Sequence, residues 1–294
     1  MIKLPGYVKA ILKIAISVAA LWYVFTKIDF REVMTIFATV NYGWLVAATL
    51  LFIVSKIFSA WRLNVFFGNI GARLSNDSNL RLYLLGMYYN LFLPGGIGGD
   101  GYKVYLLNRQ YGIKAGKLFW AVLLDRVNGV LALFVLAMLL APFTVIPDLY
   151  KTFALILIPV SIVVYYLVIS KFFPDFRQGL NLTNLYSLGV QTAQLISAWF
   201  ILLANHSHDQ VLAYLFLFLV SSIVATLPFT IGGIGSREIT FLFGAEIMQL
   251  DIHLSIALSL LFYVITAVVS LTGIWYSLNP KAMKIKLIGK EMAG

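Results

Sequence analysis

Two short segments of the sequence place Pro, clustered Gly and charged residues in the same order. Residues 93–100 read Leu-Pro-Gly-Gly-Ile-Gly-Gly-Asp, and residues 227–238 read Leu-Pro-Phe-Thr-Ile-Gly-Gly-Ile-Gly-Ser-Arg-Glu. Because Pro lacks a backbone donor and Gly adopts unusual backbone angles, both segments leave main-chain groups unpaired. A helix beginning after each cluster, near Gly99 and near Ser236, directs N–H groups and the positive end of its dipole toward an anion. The two segments therefore predict a site for an anionic head group.

Charged residues lie beside these segments and inside a long apolar stretch. Asp125 and Arg126 fall within an apolar run, and Glu238 follows Arg237 after the second glycine cluster. Charges are costly in hydrocarbon, so each one usually faces a partner or a water-filled cavity. One interpretation makes these residues and Asp100 the lining of a path for a charged head group. The other makes Asp125 with Arg126, and Arg237 with Glu238, structural ion pairs that lock helices together.

These patterns predict a substrate-binding and translocation site with no catalytic residue and no metal ligand. Its predicted residues are Asn90, Pro94, Gly95, Gly96, Gly98, Gly99, Asp100, Lys103, Asp125, Arg126, Pro228, Gly232, Gly233, Gly235, Arg237 and Glu238. The alternative for both glycine clusters is that they only allow close helix packing. If transport is coupled to protons, Asp100, Asp125 and Glu238 are the carboxylates predicted to carry them. By contrast, Lys56 and Arg62 are predicted to extend toward the cytoplasmic interface.

The composition indicates the environment in which these residues act. Hydrophobic residues make up 61% of the 294 residues and charged residues only 12%, which is too little polar surface to cover a water-soluble globule of this size. In a bilayer, backbone groups must be satisfied within helices or a closed barrel, and the apolar runs here are long and do not alternate. The sequence therefore predicts an all-α, polytopic membrane helix bundle.

About six apolar stretches are long enough to cross a hydrocarbon core about 30 Å thick. They lie at approximately 8–26, 42–61, 117–141, 151–170, 184–204 and 254–278. Two further stretches, 80–98 and 211–248, are interrupted by Pro and Gly and predict re-entrant or broken helical hairpins. Residues 27–41 predict an interfacial amphipathic helix. No small-residue cleavage site follows the first apolar run, which is therefore expected to be retained as the first span.

The distribution of basic residues orients this arrangement. With both termini in the cytoplasm and each hairpin entering and leaving on one side, most Lys and Arg residues fall in cytoplasmic segments, as the positive-inside rule requires. If both broken stretches crossed fully, giving about eight crossings, Lys103, Arg109, Lys114 and Lys117 would lie outside, against that rule. Six crossings with two hairpins are therefore preferred. Cytoplasmic loops beside anionic lipid then account for the net charge of +10 without nucleic acid as a partner.

In this arrangement the two hairpins enter the membrane from opposite sides. The chain is therefore predicted to be a single membrane domain whose halves, about 8–141 and 151–278, form an inverted repeat. A basic cytoplasmic tail follows at 279–294. Transporters built from inverted repeats form their substrate sites where broken helices meet near the midplane. The sequence thus indicates a transporter with a central site.

A series of short motifs resembles the flippase-like transmembrane domain of lysylphosphatidylglycerol synthases over about residues 8–278. The residues that carry the resemblance are Trp61-Arg62, Asn90, Leu93-Pro94, Gly98-Gly99-Asp100, Lys103, Asp125-Arg126, Pro228, Gly232-Gly233-Ile234-Gly235 and Arg237-Glu238. The resemblance implies movement of a lipid across the bilayer, in those relatives a lysyl-modified phosphatidylglycerol. It does not extend to their soluble synthase domain, so the chain is not expected to be an enzyme. Lys103 stands where the family pattern leads us to expect Arg, and Lys keeps the charge but not a planar bidentate grip.

From the residues and the resemblance together, we expect a flippase-like transporter for a phospholipid or another anionic or aminoacylated lipid in the cytoplasmic membrane. The sequence has no nucleotide-binding P-loop motif, so any energy would come from a gradient or a partner. No cofactor is expected. The expected partners are membrane lipids, a second copy of the chain, or a lipid-modifying enzyme. The alternative function is an intramembrane enzyme, or an accessory subunit, that acts on a lipid or polyprenyl phosphate.

Overall fold

The computed structural model describes residues 22, 26, 30–92, 98–145, 148–227, 235–279, 282–283 and 285–288. The described residues form helices joined by short connections, with one isolated antiparallel bridge between Leu74 and Leu287. The predicted all-α membrane bundle is thus confirmed. The helices are α1 (Phe30–Ala38), α2 (Tyr42–Gly68), α3 (Asn76–Phe92), α4 (Gly98–Tyr111), α5 (Ala115–Leu140), α6 (Asp148–Phe172), α7 (Leu180–Ala204), α8 (Val211–Thr226), α9 (Ser236–Met248), α10 (Ile252–Leu271) and α11 (Ile274–Leu278).

Five helical stretches within the described residues are long and apolar enough to cross a membrane. They are α2, α5, α6, α7, and α10 with its continuation α11, and they correspond to five of the predicted spans. The remaining predicted span, 8–26, lies outside the described residues except for Trp22 and Thr26. On α6, apolar side chains such as Phe153, Val163 and Leu167 are more than half exposed, which suits a surface that faces lipid.

Two predicted span boundaries differ from the structure. Helix α2 was expected to end at residue 61 and continues to Gly68, because Phe66 and Phe67 are fully buried in the bundle. The last span divides into α10 and α11 at Gly273, which packs directly on the backbone of α3. A Cβ atom at Gly273 would lie 2.2 Å from the carbonyl oxygen of Leu84, so this close contact requires glycine. Both differences arise from packing against distant parts of the chain.

The first broken stretch folds back on itself as a helical hairpin. Helices α3 and α4 run antiparallel. Near the end of α3, Asn90 binds Gly99 at the start of α4. Nearer the start of α3, the ring of Tyr83 contacts the Lys103 ammonium at 4.6 Å, one turn further along α4. The hairpin covers more sequence than the predicted stretch 80–98, since α3 begins at Asn76 and α4 continues to residue 111. The residues of its turn, 93–97, lie outside the described residues.

The second broken stretch is also a hairpin, formed by α8 and α9. Leu217 of α8 lies against Gly244 of α9, and Ser222 of α8 accepts a hydrogen bond from Arg237 of α9, which is again an antiparallel pairing. Helix α8 has 16 residues and α9 has 13. At about 1.5 Å per residue, neither reaches across a hydrocarbon core about 30 Å thick. The turn, residues 228–234, lies outside the described residues.

The contacts between helices fall into two sets that mirror each other. Helices α2 to α5 correspond in order to α7 to α10, and corresponding helices begin at nearly constant spacing along the chain. Helix α5 contacts α7 and α8, and its counterpart α10 contacts α2 and α3. Helices α2 and α7 pack antiparallel, since Asn41 N donates to Ala204 O and Ser197 Oγ donates to Ala48 O, both at 2.8 Å. The corresponding helices α2 and α7 therefore run in opposite directions where they meet.

Part of the basic C-terminal segment packs onto the connection between α2 and α3. Ser75 N donates to Lys286 O at 2.9 Å, and Ile288 N donates to Arg73 O at 2.8 Å. The Arg81 guanidinium of α3 donates to Ala282 O at 2.8 Å. These bonds hold part of the predicted tail 279–294 against the end of the bundle from which the first hairpin starts.

Candidate functional site

The carboxylate of Asp100 lies between two cations at the start of α4. Asp100 is the third residue of that helix, and its two oxygens accept from Lys103 Nζ at 3.0 Å and from Arg126 Nε of α5 at 2.5 Å. Although sequence reasoning counted Lys103 among the cytoplasmic basic residues, its side chain is buried, because Asp100 balances its charge and Tyr83 covers it. The three charges join the first hairpin to α5.

The start of α4 is also held by α3. Asn90 Oδ1 accepts from Gly99 N at 2.8 Å, so an α3 side chain satisfies one of the unpaired N–H groups at this helix N-terminus. Gly86 of α3 and Gly99 of α4 bring the two backbones into contact, since a Cβ on Gly99 would lie 1.8 Å from Gly86 O. Asn90, Gly98, Gly99, Asp100, Lys103 and Arg126, all predicted site residues, thus come together around the first hairpin.

The corresponding carboxylate of the second hairpin has neutral partners. Glu238 is the third residue of α9, and its Oε2 accepts from Gly235 N at 2.7 Å. Its Oε1 accepts from Ser259 Oγ of α10 at 2.8 Å. Because Glu238 is buried, these two bonds satisfy a charge that water does not reach. Glu238 therefore fixes the start of α9 and joins the second hairpin to α10.

Arg237 does not pair with Glu238, so the structural ion pair considered between them is absent among the described residues. The guanidinium Cζ of Arg237 instead lies 5.0 Å from the ring centre of Phe262 and 5.5 Å from that of Phe218. Its Nη2 donates to Ser222 Oγ at 3.2 Å. The cation is held by rings and one hydroxyl, none of which carries a formal negative charge.

Asp125 does not pair with its neighbour Arg126 but with Arg62 of α2. Arg62 Nε donates to Asp125 Oδ1 at 2.7 Å and Arg62 Nη2 donates to Oδ2 at 3.1 Å, a bidentate geometry. The expectation that Arg62 extends to the interface is therefore wrong, because an anion inside the bundle neutralises it. The absence of a side chain at Gly129 of α5 makes space for the Arg62 guanidinium, since a Cβ at this position would lie 2.9 Å from Arg62 Nη1.

The Arg62–Asp125 pair belongs to a chain of polar groups that links α2, α5, α6 and α7. Arg62 Nη1 donates to Ser187 Oγ at 2.8 Å, and Ser187 Oγ donates to Asn128 Oδ1. Asn128 Nδ2 in turn donates to Tyr165 Oη at 3.0 Å and to Asn184 Oδ1 at 2.5 Å. Sequence reasoning did not find this network. The signal available was that polar residues recur on the apolar helices α5 and α7.

Lys56 lies in the middle of α2 rather than near its end. The helix extends about 20 Å to either side of Lys56 at about 1.5 Å per residue, and the extension of this side chain toward the interface stays a prediction. Its ammonium lies 4.2 Å from the ring centre of Phe52. The charges of Arg237 and Arg62 both act on it. Lys56 therefore stands between the second hairpin and the Arg62–Asp125 pair.

The predicted site residues thus form two groups connected by α2. The first group surrounds Asp100, the second contains Gly235, Arg237 and Glu238, and Asp125 with Arg62 and Lys56 lies between them. The remaining predicted site residues, Pro94, Gly95, Gly96, Pro228, Gly232 and Gly233, lie outside the described residues. Arg62 and Lys56, which lie between the two groups, were not among the predicted site residues.

A cavity of about 510 Å³ lies where α2 ends and α7 begins. Its walls include Trp61, Tyr186, Asn69, Arg73 and Gln178. Aromatic and basic side chains of this kind are typical of the membrane interface. Among the residues that the structure describes, no group of three His, Asp or Glu side chains is placed to hold a metal ion. We therefore locate the candidate site at the hairpins.

Comparison with known proteins identifies one family. The model of the family described as "Lysylphosphatidylglycerol synthase TM region" matches residues 10–273, which is most of the chain and includes both hairpins. No curated protein matches the chain significantly. The match covers every candidate site residue described above.

Proposed function

Because the chain belongs to the lysylphosphatidylglycerol synthase transmembrane family, we propose that it is a flippase-like transporter in the cytoplasmic membrane. It moves a phospholipid, or another anionic or aminoacylated lipid, between leaflets without changing the lipid chemically. Membrane lipids are accordingly its proposed partners. Both chain termini and the start of the first hairpin face the cytoplasm in this proposal, in keeping with the basic residues concentrated there.

The observation that carries the proposal is the repeated use of one carboxylate position. In each hairpin the third residue of the second helix, Asp100 or Glu238, binds a side chain of the span that follows, Arg126 or Ser259. Intramembrane ionisable residues of this kind mark substrate or ion pathways. A head group that competes for these contacts would release the hairpin from its neighbouring span. The hairpins are therefore the proposed moving parts.

The mirrored helix contacts support an inverted repeat. Two halves related by an axis in the membrane plane run in opposite directions, and the corresponding helices α2 and α7 are antiparallel along their lengths. In this proposal α3–α4 re-enters from the cytoplasmic side and α8–α9 from the outside. The short helices α8 and α9 fit re-entry, because each covers only part of the membrane thickness.

Lipid movement can be tested with purified protein in proteoliposomes. Fluorescent phosphatidylglycerol or phosphatidylcholine is placed in both leaflets, and a membrane-impermeant quencher reports the fraction that reaches the outer leaflet. We expect lipid movement with the native chain and a loss of about ten-fold or more in Asp100→Asn, Arg126→Ala and Glu238→Gln, since each change removes a charge from the contact between a hairpin and the span that follows it. Asp77→Asn is the matched control, because the Asp77–Arg81 pair is exposed.

Two results would contradict the proposal. Native protein that moves no labelled lipid would exclude flippase activity under these conditions, and activity in all three variants equal to the native level would exclude the assigned site. Topology is tested separately by labelling single cysteines at Lys114 and His208. The proposal places Lys114 inside and His208 outside, and labelling of Lys114 from outside would refute the re-entrant arrangement, because Lys114 lies outside if the first broken stretch crosses the membrane fully.

A further inference from the structure

Three cations near the first hairpin have a carboxylate partner. Arg62 binds Asp125, and Lys103 and Arg126 both bind Asp100. Lys56 and Arg237 differ, since no described carboxylate lies within ion-pair distance of either one. Intramembrane cations normally pair with an anion or face a water-filled cavity. The charge of Glu238 acts on its neighbour Arg237, but among the described residues neither cation has a carboxylate in direct contact.

The aromatic contacts of the two cations do not replace that anion. Lys56 lies over Phe52, Arg237 lies over Phe218 and Phe262, and the rings of Phe52 and Phe218 both pack on Phe262. A ring face attracts a cation by only about 0.5–2 kcal/mol, and it carries no net charge. The rings hold both cations around one aromatic core, close enough that their charges repel. A single anion that contacts both would relieve this repulsion.

The location favours a lipid as the source of that anion. Lys56 is near the centre of α2, and both cations are partly exposed while the three rings are buried. A surface at this depth of a spanning helix faces the bilayer or a cavity within the protein, where a lipid phosphate arrives with its acyl chains still in hydrocarbon. Free phosphate has no acyl chains whose burial in hydrocarbon offsets the cost of desolvating its charge.

We infer that Lys56 and Arg237 together form a binding site for the phosphate of an anionic membrane lipid, at the second hairpin. This inference deepens the proposed function and rests on it for the lipid's passage, but the binding itself can be measured alone. Glu238 does not occupy the site, because both of its oxygens are bound by Gly235 and Ser259. The first hairpin, where Lys103 and Arg126 both bind Asp100, is a separate region.

The test is lipid binding by native mass spectrometry of the full chain, with phosphatidylglycerol and phosphatidylcholine as probes. We expect Lys56→Gln and Arg237→Gln each to weaken phosphatidylglycerol binding about ten-fold, with phosphatidylcholine binding changed less than about two-fold. Lys171→Gln is the matched control, because Lys171 also lies over a ring, that of Phe172, but at the end of α6. Unchanged phosphatidylglycerol binding in the Lys56, Arg237 double variant would overturn the inference.

Chemical rescue separates the charge from any effect on folding. The sequence contains no Cys, so Lys56→Cys provides a single reactive position. Modification with an aminoethyl thiosulfonate restores a positive charge there, whereas modification with a methyl thiosulfonate does not. We expect only the first reagent to restore phosphatidylglycerol binding. Equal binding after both reagents would show that the charge of Lys56 does not matter and would overturn the inference.

A third arm distinguishes lipid from free phosphate. Glycerol 3-phosphate is added up to millimolar concentration, and we expect it not to displace phosphatidylglycerol; efficient displacement would assign the site to a soluble phosphate instead.

The outcome of the binding test is also independent of transport. If charge-dependent phosphatidylglycerol binding is found but the native chain moves no lipid, the proposed flippase function fails while the anion site stands. If lipid moves but binding ignores both cations, only the anion site fails.

Discussion

The two hairpins share a geometry but balance charge in opposite ways. At the third position of the second helix, Asp100 lies between Lys103 and Arg126, whereas Glu238 binds a backbone N–H and a hydroxyl. In the first hairpin the fixed charges satisfy one another. In the second hairpin, the Glu238 carboxylate binds the start of α9, and the neighbouring Arg237 guanidinium contacts aromatic rings instead of a carboxylate.

The two hairpins also differ in how closely their helices pack. In the first, backbone meets backbone at Gly86 and Gly99, and in the second Gly244 meets the side chain of Leu217. The first hairpin is thus a close-packed, ion-paired unit, whereas in the second a leucine side chain forms the helix contact and Arg237 has no described carboxylate within ion-pair distance. The comparison shows that the same backbone arrangement can form a tightly packed hairpin in one half of the chain and, in the other half, a hairpin with a cation that is available to a ligand.

The largest expected effect follows from the backbone contact of the first hairpin. Gly99→Ala places a Cβ 1.8 Å from Gly86 O, and since no side chain can move aside, α3 and α4 must separate. We expect the free energy of unfolding to fall by more than about 3 kcal/mol. The measurement is the midpoint temperature of thermal unfolding in detergent, followed by size-exclusion chromatography of heated samples, and we expect this midpoint to fall. Gly101→Ala, which meets no atom within 4 Å, is the control. A normal midpoint for Gly99→Ala would mean that the hairpin is not close-packed.

The next effect compares the two carboxylates. Asp100→Asn leaves Lys103 and Arg126 without their anion, whereas Glu238→Gln keeps an oxygen for Gly235 N and an amide for Ser259. We expect a loss of about 2–3 kcal/mol for the first change and about 1 kcal/mol for the second. The same unfolding assay measures both. Equal losses would remove the distinction between an ion-paired and a neutral hairpin.

A smaller effect is expected at the start of α4. Asn90→Ala removes the side chain that accepts from Gly99 N, which is a helix-capping contact made across the hairpin. Loss of such a cap costs about 1 kcal/mol. Asn90→Asp, which keeps an acceptor oxygen at this position, should lie closer to the native midpoint than Asn90→Ala. If the two variants unfold at the same temperature, the cap does not stabilise the hairpin.

The smallest effect is expected in the second hairpin. Gly244→Ala brings a Cβ within 2.2 Å of Leu217 Cδ1, but a leucine side chain can rotate, and alanine itself favours the helix by about 1 kcal/mol over glycine. We expect a net change within about 1 kcal/mol. A loss as large as that of Gly99→Ala would show that the second hairpin is as tightly packed as the first and would end the contrast between them.

Several features could be predicted from the sequence because they depend on local chemistry. Continuous apolar runs predict spanning helices, and five such helices appear close to the expected positions. Pro and Gly interrupt two of the runs, and helices α4 and α9 begin at Gly98 and Ser236, beside the predicted clusters. The family resemblance stated on these motifs is confirmed by the match over residues 10–273.

The partners of the charges could not be predicted in this way. Asp125 and Arg126 are neighbours in sequence, so an ion pair between them was a reasonable interpretation. On a helix, however, successive residues point about 100° apart, and the two side chains face different neighbours. Asp125 meets Arg62 of α2, and Arg126 meets Asp100 of α4. The position of Lys56 near the middle of α2 could not be predicted for a related reason, because the end of this helix depends on buried contacts beyond residue 61.

By itself the sequence determined that this chain is a helical membrane protein with two interrupted segments, because hydrophobicity, Pro and Gly act within a few residues along the chain. Only the tertiary structure decided which anion meets which cation, since those pairs join residues 26 and 63 positions apart. Ion pairing depends on distance in space and on the exclusion of water, and both arise when helices that are distant in the sequence pack together. The same packing leaves Lys56 and Arg237 without a carboxylate among the described residues.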